Sequence, residues 1–269
     1  MSDAPPPELL AALDAARGRL RRFGQPLYYF HDIGSTNDFA ATLAEHGAPE
    51  GATVIASSQS AGRGRLGRDW FSPPGAGLYV SVVCRDGAAV PFLTVAGGVA
   101  VAGGIRMATS LPVQIKWPND VIVVDGHGVN RRRKLAGILA EGSSTGNGVQ
   151  HVVLGFGVNL RSAAYPADLA DRATSIEAEL GRAPDGAAVL VEILVALDEI
   201  LDQVSNGSSL PLVERWRALA PSAAGTPVEW ETPSGPVSGT SAGIADDGAL
   251  LVKTANGIER IISGEVRWV

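Results

Sequence analysis

The sequence has a single cysteine, Cys84, among its 269 residues. One cysteine excludes an intramolecular disulfide and is typical of a protein from a reducing compartment. Because Cys84 lies inside an apolar stretch, a place in the core is favoured over a role as a nucleophile. Residues 1–8 also lack the basic segment followed by an apolar one that marks a secretory signal peptide. We therefore expect a cytoplasmic protein.

Long apolar runs and an excess of positive charge are absent as well. A membrane-spanning helix needs about 20 apolar residues. The closest stretch, residues 88–109, is interrupted by Pro91, Arg106 and four glycines. The net charge of −6 argues against a general nucleic-acid binder, since proteins that neutralise phosphate groups are usually basic. The four histidines are too far apart in the sequence to suggest a metal site. Neither a membrane nor a nucleic acid is expected as a partner.

Apolar residues are abundant enough for a sizeable core, at 45% hydrophobic against 19% charged. A chain of this length suits one large domain or two unequal ones. The pattern changes at Pro221, after which short apolar runs are separated by hairpin-turn signals such as Asp246-Asp247-Gly248. We predict a tail with a short helix (residues 1–24), a main domain (25–221) and a small C-terminal barrel or sandwich (222–269).

Apolar periodicity predicts a mixture of helices and strands. The predicted helices cover residues 8–23, 36–45, 91–110, 175–180, 185–204 and 210–219. The predicted strands of the main domain cover residues 27–31, 52–58, 77–84, 113–116, 121–124, 135–141 and 149–158, with a polar turn at 125–133. The predicted C-terminal strands cover residues 228–231, 237–244, 250–253, 258–262 and 265–268.

The segment Gly62–Trp70 concentrates three glycines and three arginines in a mildly acidic chain. Glycine lets the backbone approach a ligand closely, and arginine offers a planar fork of donors to carboxylates and phosphates. The spacing formally matches a dinucleotide-binding fingerprint, but residues 68–75 cannot begin the helix which that motif requires. The segment therefore indicates an anion-binding loop; the alternative is a solvated basic turn.

Four further clusters carry polar or cationic side chains next to apolar strands, and each has a plain structural alternative. Lys116–Asp120 could hold Mg²⁺ through a carboxylate or form a simple β-turn. Lys134–Glu141 places a lysine at the start of an apolar strand, where it could act on a ligand or face solvent. Gly155–Asn159 has two glycines on one strand face, which leave a groove for a flat ligand or allow a tight crossing. Ser35–Asn37 could bind a ligand or cap a helix.

Taken together and in this order, the five clusters resemble the bacterial biotin protein ligase family. The matching stretches span about 125 residues from Ser35 to Asn159. The resemblance implies an α+β fold: a mixed sheet packed with helices, as in class II aminoacyl-tRNA synthetases and biotin/lipoate ligases, followed by a small C-terminal SH3-like β-barrel. It implies a two-step reaction in which biotin and MgATP form biotinyl-5′-AMP and pyrophosphate. The biotinyl group then passes to a lysine of a biotin carboxyl carrier protein domain.

The resemblance also implies roles for individual residues. The catalytic residues would be Arg65, Lys134, Asp120 and Lys116, with Asp120 also as a magnesium ligand. Biotin would be bound by Ser35, Thr36, Gln59, Gly62, Arg63, Arg65, Lys134, Gly137, Gly155 and Gly157. The nucleotide would be bound by Arg65, Arg68, Trp70, Asn119, Asp120, Lys134 and Asn159. The Gly/Arg loop would close over biotin and keep water from the adenylate.

Two features differ from parts of that family. Fewer than 35 residues precede Ser35, whereas a DNA-binding domain needs roughly 60; we therefore expect a ligase without repressor activity. Residues 121–133 also form a longer link than usual, which leaves the role of Arg131–Arg133 open between solvation and contact with an acidic carrier. The alternatives are ligation of lipoate or another acyl group, and a non-catalytic ligand or RNA binder. Exposed sheet edges would permit a homodimer.

Overall fold

The computed structural model describes residues 2–124, 132–145, 148–232 and 235–269. Its main body is built on a seven-stranded sheet with the strand order β1-β2-β3-β7-β6-β5-β4. The strands are β1 (Leu27–Phe30), β2 (Thr53–Ala56), β3 (Gly77–Cys84), β4 (Gln114–Lys116), β5 (Asp120–Val124), β6 (Arg132–Thr145) and β7 (Gly148–Asn159). Only β1 and β2 run parallel, and the other neighbours are antiparallel. The predicted mixed sheet is confirmed.

Two helices cover one face of this sheet and form the main core with it. They are α3 (Leu93–Thr109) and α5 (Gly186–Ser205), and α6 (Leu210–Leu219) packs beside α3. Glycines let α3 approach its neighbours: a Cβ on Gly104 would lie 2.5 Å from the backbone nitrogen of Ile193 in α5. From the sequence we expected no stretch apolar enough to span a membrane, but the helical segment Val90–Thr109 is long and apolar enough to do so. Of its most apolar 18-residue stretch, 61% is buried inside the protein. Its burial marks it as a core helix.

A shorter helix, α2 (Thr36–Glu45), covers part of the opposite face. It begins where predicted, because Ser35 accepts a hydrogen bond from the backbone nitrogen of Asp38. Apolar residues of α2 pack on β2 and on the ends of β3 and β7, forming a second core cluster. The rest of this face carries small or polar residues, among them Ser81 and Gly155, and it stays free for a site.

The C-terminal strands form a second sheet. They are β8 (Ala224–Thr232), β9 (Gly235–Ile244), β10 (Leu250–Thr254), β11 (Gly257–Ile261) and β12 (Val266–Trp268), in the order β11-β10-β9-β8-β12. Within the described part of the chain this sheet is open, so the expected closed barrel is not found. It contacts the main body through Trp117, whose indole donates to the Gly248 carbonyl at 3.0 Å.

Two sequence predictions need correction in their bounds. The first helix, α1 (Pro7–Ala15), is shorter than the predicted 8–23. The residues after α1 are not helical and are held against α5 by side-chain contacts, such as the ion pair of Arg19 with Glu192 at 2.6 Å. The polar turn predicted for residues 125–133 is wrong at its end, because Arg132 and Arg133 already belong to β6; residues 125–131 lie outside the described residues. The short helix α4 (Ile176–Leu180) is close to its prediction.

Candidate active site

A small cavity lies on the open face of the seven-stranded sheet, beside the start of α2. Its volume is about 50 Å³. All five sequence clusters contribute to its lining, which includes Ser35, Thr36, Gln59, Arg63, Arg65, Trp70, Asn119, Lys134, Gly137, Gly155 and Gly157. The fold therefore brings together residues that lie more than a hundred positions apart in the sequence.

One end of the cavity is a network of uncharged hydrogen-bonding groups. The side-chain oxygen of Gln59 accepts from the backbone nitrogen and the hydroxyl of Thr36, at 2.8 and 3.0 Å, and its nitrogen donates to Ser72 at 2.9 Å. The hydroxyl of Ser81 lies 2.8 Å from that of Thr36 and donates to the Asn37 side-chain oxygen at 2.5 Å. Such a fixed network suits a neutral polar group with both donors and acceptors.

The floor of the cavity consists of glycines whose missing side chains leave room for neighbouring groups. A Cβ on Gly155 would lie 2.1 Å from the side-chain oxygen of Asn37. A Cβ on Gly157 would lie 2.4 Å from the indole of Trp70, and a Cβ on Gly137 would lie 2.9 Å from the same ring. The groove predicted from these glycines exists, and a loop tryptophan lies over two of them.

A β-bulge brings Lys134 to the same face as this floor. Asp120 pairs with Gly137 and Ile122 pairs with Lys134, so two steps along β5 correspond to three along β6. On a regular strand, residues three apart point to opposite faces. With the bulge, a Cβ on Gly137 would lie 3.2 Å from the Lys134 ammonium. That ammonium pairs with Asp120 at 2.7 Å and lies 5.2 Å from the centre of the Trp70 ring.

The Gly/Arg loop is a folded hairpin rather than an extended turn. Its two arms pair at Arg63 and Asp69, and the Trp70 backbone nitrogen donates to the Gly62 carbonyl at 2.8 Å. Gly62 does not line the cavity; it permits this close pairing, because a Cβ there would lie 2.4 Å from the Trp70 carbonyl oxygen.

Arg63 is engaged by carboxylates of the protein itself. Its guanidinium pairs with Asp38 and Glu141, and the hydrogen bond to Asp38 raises the pKa of Arg63. Asn37 joins the same group, since its amide donates to Glu141 at 3.0 Å. A substrate carboxylate at this arginine would have to compete with Asp38 and Glu141.

The chain is similar to proteins of one family over most of its length. Residues 29–159 match the biotin/lipoate A/B protein ligase family, and residues 224–267 match the biotin protein ligase C terminal domain. The biotin–[acetyl-CoA-carboxylase] ligase of Paracoccus denitrificans is 35% identical over 239 residues, which cover 86% of this chain and 96% of that protein. The bifunctional ligase/repressor BirA of Bacillus spizizenii is 35% identical over 248 residues, covering 90% of this chain and 74% of that protein.

The chain belongs to the biotin protein ligase family. A solved structure, the biotin protein ligase from Aquifex aeolicus in complex with biotin and ATP, agrees with the fold at a TM-score of 0.77 and 27% identity. The alignment covers 90% of this chain and 99% of that one. The family resemblance seen in the sequence motifs is thus confirmed, and the chain is a ligase.

In the ligase, the other two loop arginines reach the connection between β11 and β12 of the C-terminal sheet. Arg65 donates to the Asn119 side-chain oxygen at 3.0 Å and to the Gly264 carbonyl at 3.3 Å. Arg68 pairs with Glu265 at 2.6 Å. Gly264 and Glu265 were not expected to lie near the site, because we assigned them from the sequence to a separate small C-terminal domain.

A second cleft, of about 130 Å³, lies between the loop, residues 116–120 and the start of β12. It is lined by Arg65, Arg68, Lys116, Asn119, Asp120, Lys134 and Glu265, among others. Burial is the main cause that lowers the pKa of Lys116, and the charge of Lys134 lowers it further, while Asp120 raises it. This concentration of cations is suited to phosphate groups.

A third, more apolar cleft of about 530 Å³ opens on the other side of Trp70. Phe71, Tyr165 and Leu169 contribute to its walls. Asn159 lines this cleft rather than the small cavity, and its amide donates to the Thr174 carbonyl at 2.9 Å. A wide apolar cleft beside an aromatic ring suits a flat ring system.

Asp120 is the single carboxylate predicted as a magnesium ligand. Among the described residues no group of three acidic, histidine or cysteine side chains could hold a metal ion. Mg²⁺ is commonly held by one or two carboxylates together with substrate phosphates, and Asp120 beside the cationic cleft fits that arrangement. It would take part as one ligand of a metal that arrives with a nucleotide.

Several site residues were not identified from the sequence. Ser81, Tyr79 and Glu141 contribute to the cavity or to its hydrogen-bonding groups. Ser81 is a buried hydroxyl in an otherwise apolar strand. A polar residue inside an apolar strand is the one sequence signal that could have indicated Ser81 as a site residue. Nothing in the sequence indicated Glu265, because its ion pair with Arg68 depends on how the second sheet packs on the first.

Proposed function

We propose that the ligase joins biotin to a lysine of a biotin carboxyl carrier protein domain, through biotinyl-5′-AMP made from biotin and MgATP. One observation carries the proposal: the small cavity combines an uncharged hydrogen-bonding end with a cationic end at Lys134. Biotin has the same polarity, with a neutral polar ring at one end and a carboxylate at the other. The relatives named as biotin ligases support the same assignment.

In this proposal the ureido group of biotin binds at the Gln59, Thr36 and Ser81 network. Ring atoms then lie along the glycine floor, where a Cβ on Gly155 or Gly157 would already collide with Asn37 or Trp70. The carboxylate points toward Lys134. Trp70 covers part of this floor, so it shifts aside or forms the lid over the bound ring.

The nucleotide occupies the two larger clefts. Its triphosphate lies among Arg65, Arg68 and Lys116, where Asp120 would help to hold Mg²⁺ and the ion would neutralise phosphate charge. Its base lies in the apolar cleft between Trp70 and Asn159. A carboxylate oxygen of biotin forms a bond to the α-phosphorus, and the bond to the bridging β-oxygen breaks. Pyrophosphate leaves with the electron pair. Lys134 stabilises the charge that develops between carboxylate and phosphate.

In the second step the amine of the carrier lysine attacks the acyl carbon. The bond to AMP breaks, AMP leaves as the anion with the electron pair, and the nitrogen releases its extra proton to solvent. Asp120 is suited to orient that amine, since it already pairs with an ammonium group at 2.7 Å. The enzyme needs no covalent nucleophile, so positioning and charge neutralisation account for the chemistry.

The direct test is pyrophosphate release with ATP, Mg²⁺, biotin and a purified biotin carrier domain. We expect release that depends on biotin, and a carrier heavier by one biotinyl group on mass spectrometry. A carrier whose acceptor lysine is changed to arginine is the control. Lipoate with a lipoyl domain is assayed in parallel. Modification of the lipoyl domain alone would favour the lipoate alternative, and no turnover with either would refute the proposal.

Three finer expectations accompany this function. The ligase does not act as a DNA-binding repressor, and a gel-shift assay with operator-like DNA, in the presence of biotin and ATP, tests whether it binds DNA. The division at residues 24/25 and 221/222 stays a prediction, tested by limited proteolysis. The enzyme acts in the cytoplasm, and sedimentation with and without ligands decides whether it forms a homodimer.

A further inference from the structure

Arg132, which has no role in the proposed function, holds its guanidinium in an unusual setting. It lies 5.7 Å from the ring centre of Trp268 in the C-terminal sheet. Its Nε is buried and has no hydrogen-bond partner among the described residues. Burial lowers the pKa of Arg132. A buried donor without a partner costs free energy unless a ligand satisfies it.

The strand register places Arg132 on the same face of the sheet as the two lysines of the cationic cleft. Arg132 pairs with Val124 on β5, two residues beyond Lys134, so both side chains lie on the same face of the sheet. Lys116 is opposite Asp120 and shares that face as well.

The neighbouring Arg133 points the other way. It pairs with Glu179 at 2.9 Å and donates to the Thr174 hydroxyl at 3.1 Å, on the far side of β6. Of these two consecutive arginines, Arg132 is therefore the one on the sheet face of Lys116 and Lys134.

The charges around this face are unbalanced. The pKa of the Lys116 ammonium is lowered by Lys134 and by Arg132 and raised by Asp120 and Glu265, so all four charges act on Lys116. The cleft is lined by the cations Arg65, Arg68, Lys116 and Lys134 and the carboxylates Asp69, Asp120 and Glu265, and Arg132 adds a fifth positive charge that acts on Lys116. An anion with two or more charges would complete the set.

We propose that Arg132, held over Trp268, is a further anion-binding residue that takes the pyrophosphate end of ATP. The indole holds the cation by its face, and the planar fork of N–H donors stays available to phosphate oxygens. As the bond to the bridging β-oxygen breaks, negative charge moves to the leaving pyrophosphate, next to this guanidinium. The assignment rests on the proposed function, since it presumes ATP in the cleft.

The test uses Arg132→Met, which keeps an apolar stem on Trp268 and removes the charge. A hydrogen bond to a charged group contributes about 1.5–3 kcal/mol, so we expect the KM for ATP to rise about 10-fold or more. The KM for biotin should stay within about two-fold, and Arg132→Lys should recover part of the loss. Arg267→Met removes an exposed charge next to Trp268 and is the matched control, with unchanged values expected.

A second measurement does not depend on turnover: the affinity of the protein for inorganic pyrophosphate with Mg²⁺, by calorimetry. It should weaken about 10-fold in Arg132→Met, in line with one lost charge-assisted contact, and stay unchanged in Arg267→Met. Wild-type values for ATP and pyrophosphate in Arg132→Met would overturn the proposal. So would a lower melting temperature alone, which would indicate packing, or a raised KM for the carrier alone. If the wild type binds pyrophosphate but shows no biotin-dependent reaction, the proposed function fails instead.

Discussion

The indole ring of Trp70 lies against the backbone of Gly157, so closely that a Cβ on this glycine would come within 2.4 Å of two indole atoms. The loop that carries the arginines is thereby seated on the glycine floor of the cavity. The position of the loop and the width of the groove depend on each other, and substitution of the glycine tests that dependence.

Gly157→Ala should push Trp70 off the floor and narrow the groove. A displacement of about 1 Å at a reacting centre can cost 100-fold in rate, so we expect a fall in kcat/KM for biotin of about that size. Gly142→Ala is the control, because a Cβ there would meet its nearest neighbour at 3.5 Å, an ordinary contact. Near-normal activity of Gly157→Ala would show that the groove is not used.

Lys134→Ala should abolish formation of biotinyl-5′-AMP. The lysine is the cation that the β-bulge brings over Gly137, and removal of a charge that stabilises a transition state costs about 3–4 kcal/mol, or 100- to 1,000-fold in rate. Biotin-dependent exchange of labelled pyrophosphate into ATP measures this first step alone. Lys253→Ala, on the exposed side of β10, should exchange at the wild-type rate. Exchange by Lys134→Ala at that rate would show that Lys134 has no role in the first step.

The residues that line the cavity could be predicted from the sequence more fully than the contacts around it. Ser35 as a helix cap and the glycines of β7 were found because capping and period-two spacing are local signals. Lys134 and Gly137 could not be placed on one face from spacing alone, since the bulge between them depends on pairing with β5. The contacts of Arg65 and Arg68 with residues 264–265 were also out of reach, because they join parts of the chain almost two hundred residues apart.

The half-buried Lys116 predicts an alkaline limit for ATP binding. Its pKa is below the usual lysine value, so its positive charge, which favours phosphate binding, is present at low pH and is lost as pH rises through that lowered pKa. The KM for ATP should therefore rise at a lower pH than an ordinary lysine would cause. Lys116→Arg should remove this rise, since a guanidinium stays protonated. An identical alkaline profile for both proteins would assign the limit to another group.

Asp198 should be important for stability, although it lies far from the site. Its carboxylate is 1% exposed, pairs with Arg22 at 3.0 Å and accepts the backbone nitrogens of Arg21 and Arg22. Breaking a buried pair typically costs 3–5 kcal/mol, so Arg22→Ala should lower the free energy of unfolding by about 3 kcal/mol. Asp202→Ala, which removes a 37% exposed partner, should cost less than about 1 kcal/mol. Equal losses in the two variants, by urea denaturation, would contradict the buried pair.

Glu265 should restrain ATP binding through Arg68. The two side chains pair at 2.6 Å but are 58% and 65% exposed, so the pair adds less than about 1 kcal/mol to stability. In Glu265→Gln the carboxylate no longer competes with phosphate for Arg68, and the cationic cleft loses one opposing charge. We expect the KM for ATP to fall by about three-fold at low salt, with little change at high salt because the effect is screened. Glu259→Gln, on β11, is the control with an unchanged KM. A rise in the KM for ATP in Glu265→Gln would instead mean that the pair holds Arg68 in its working position.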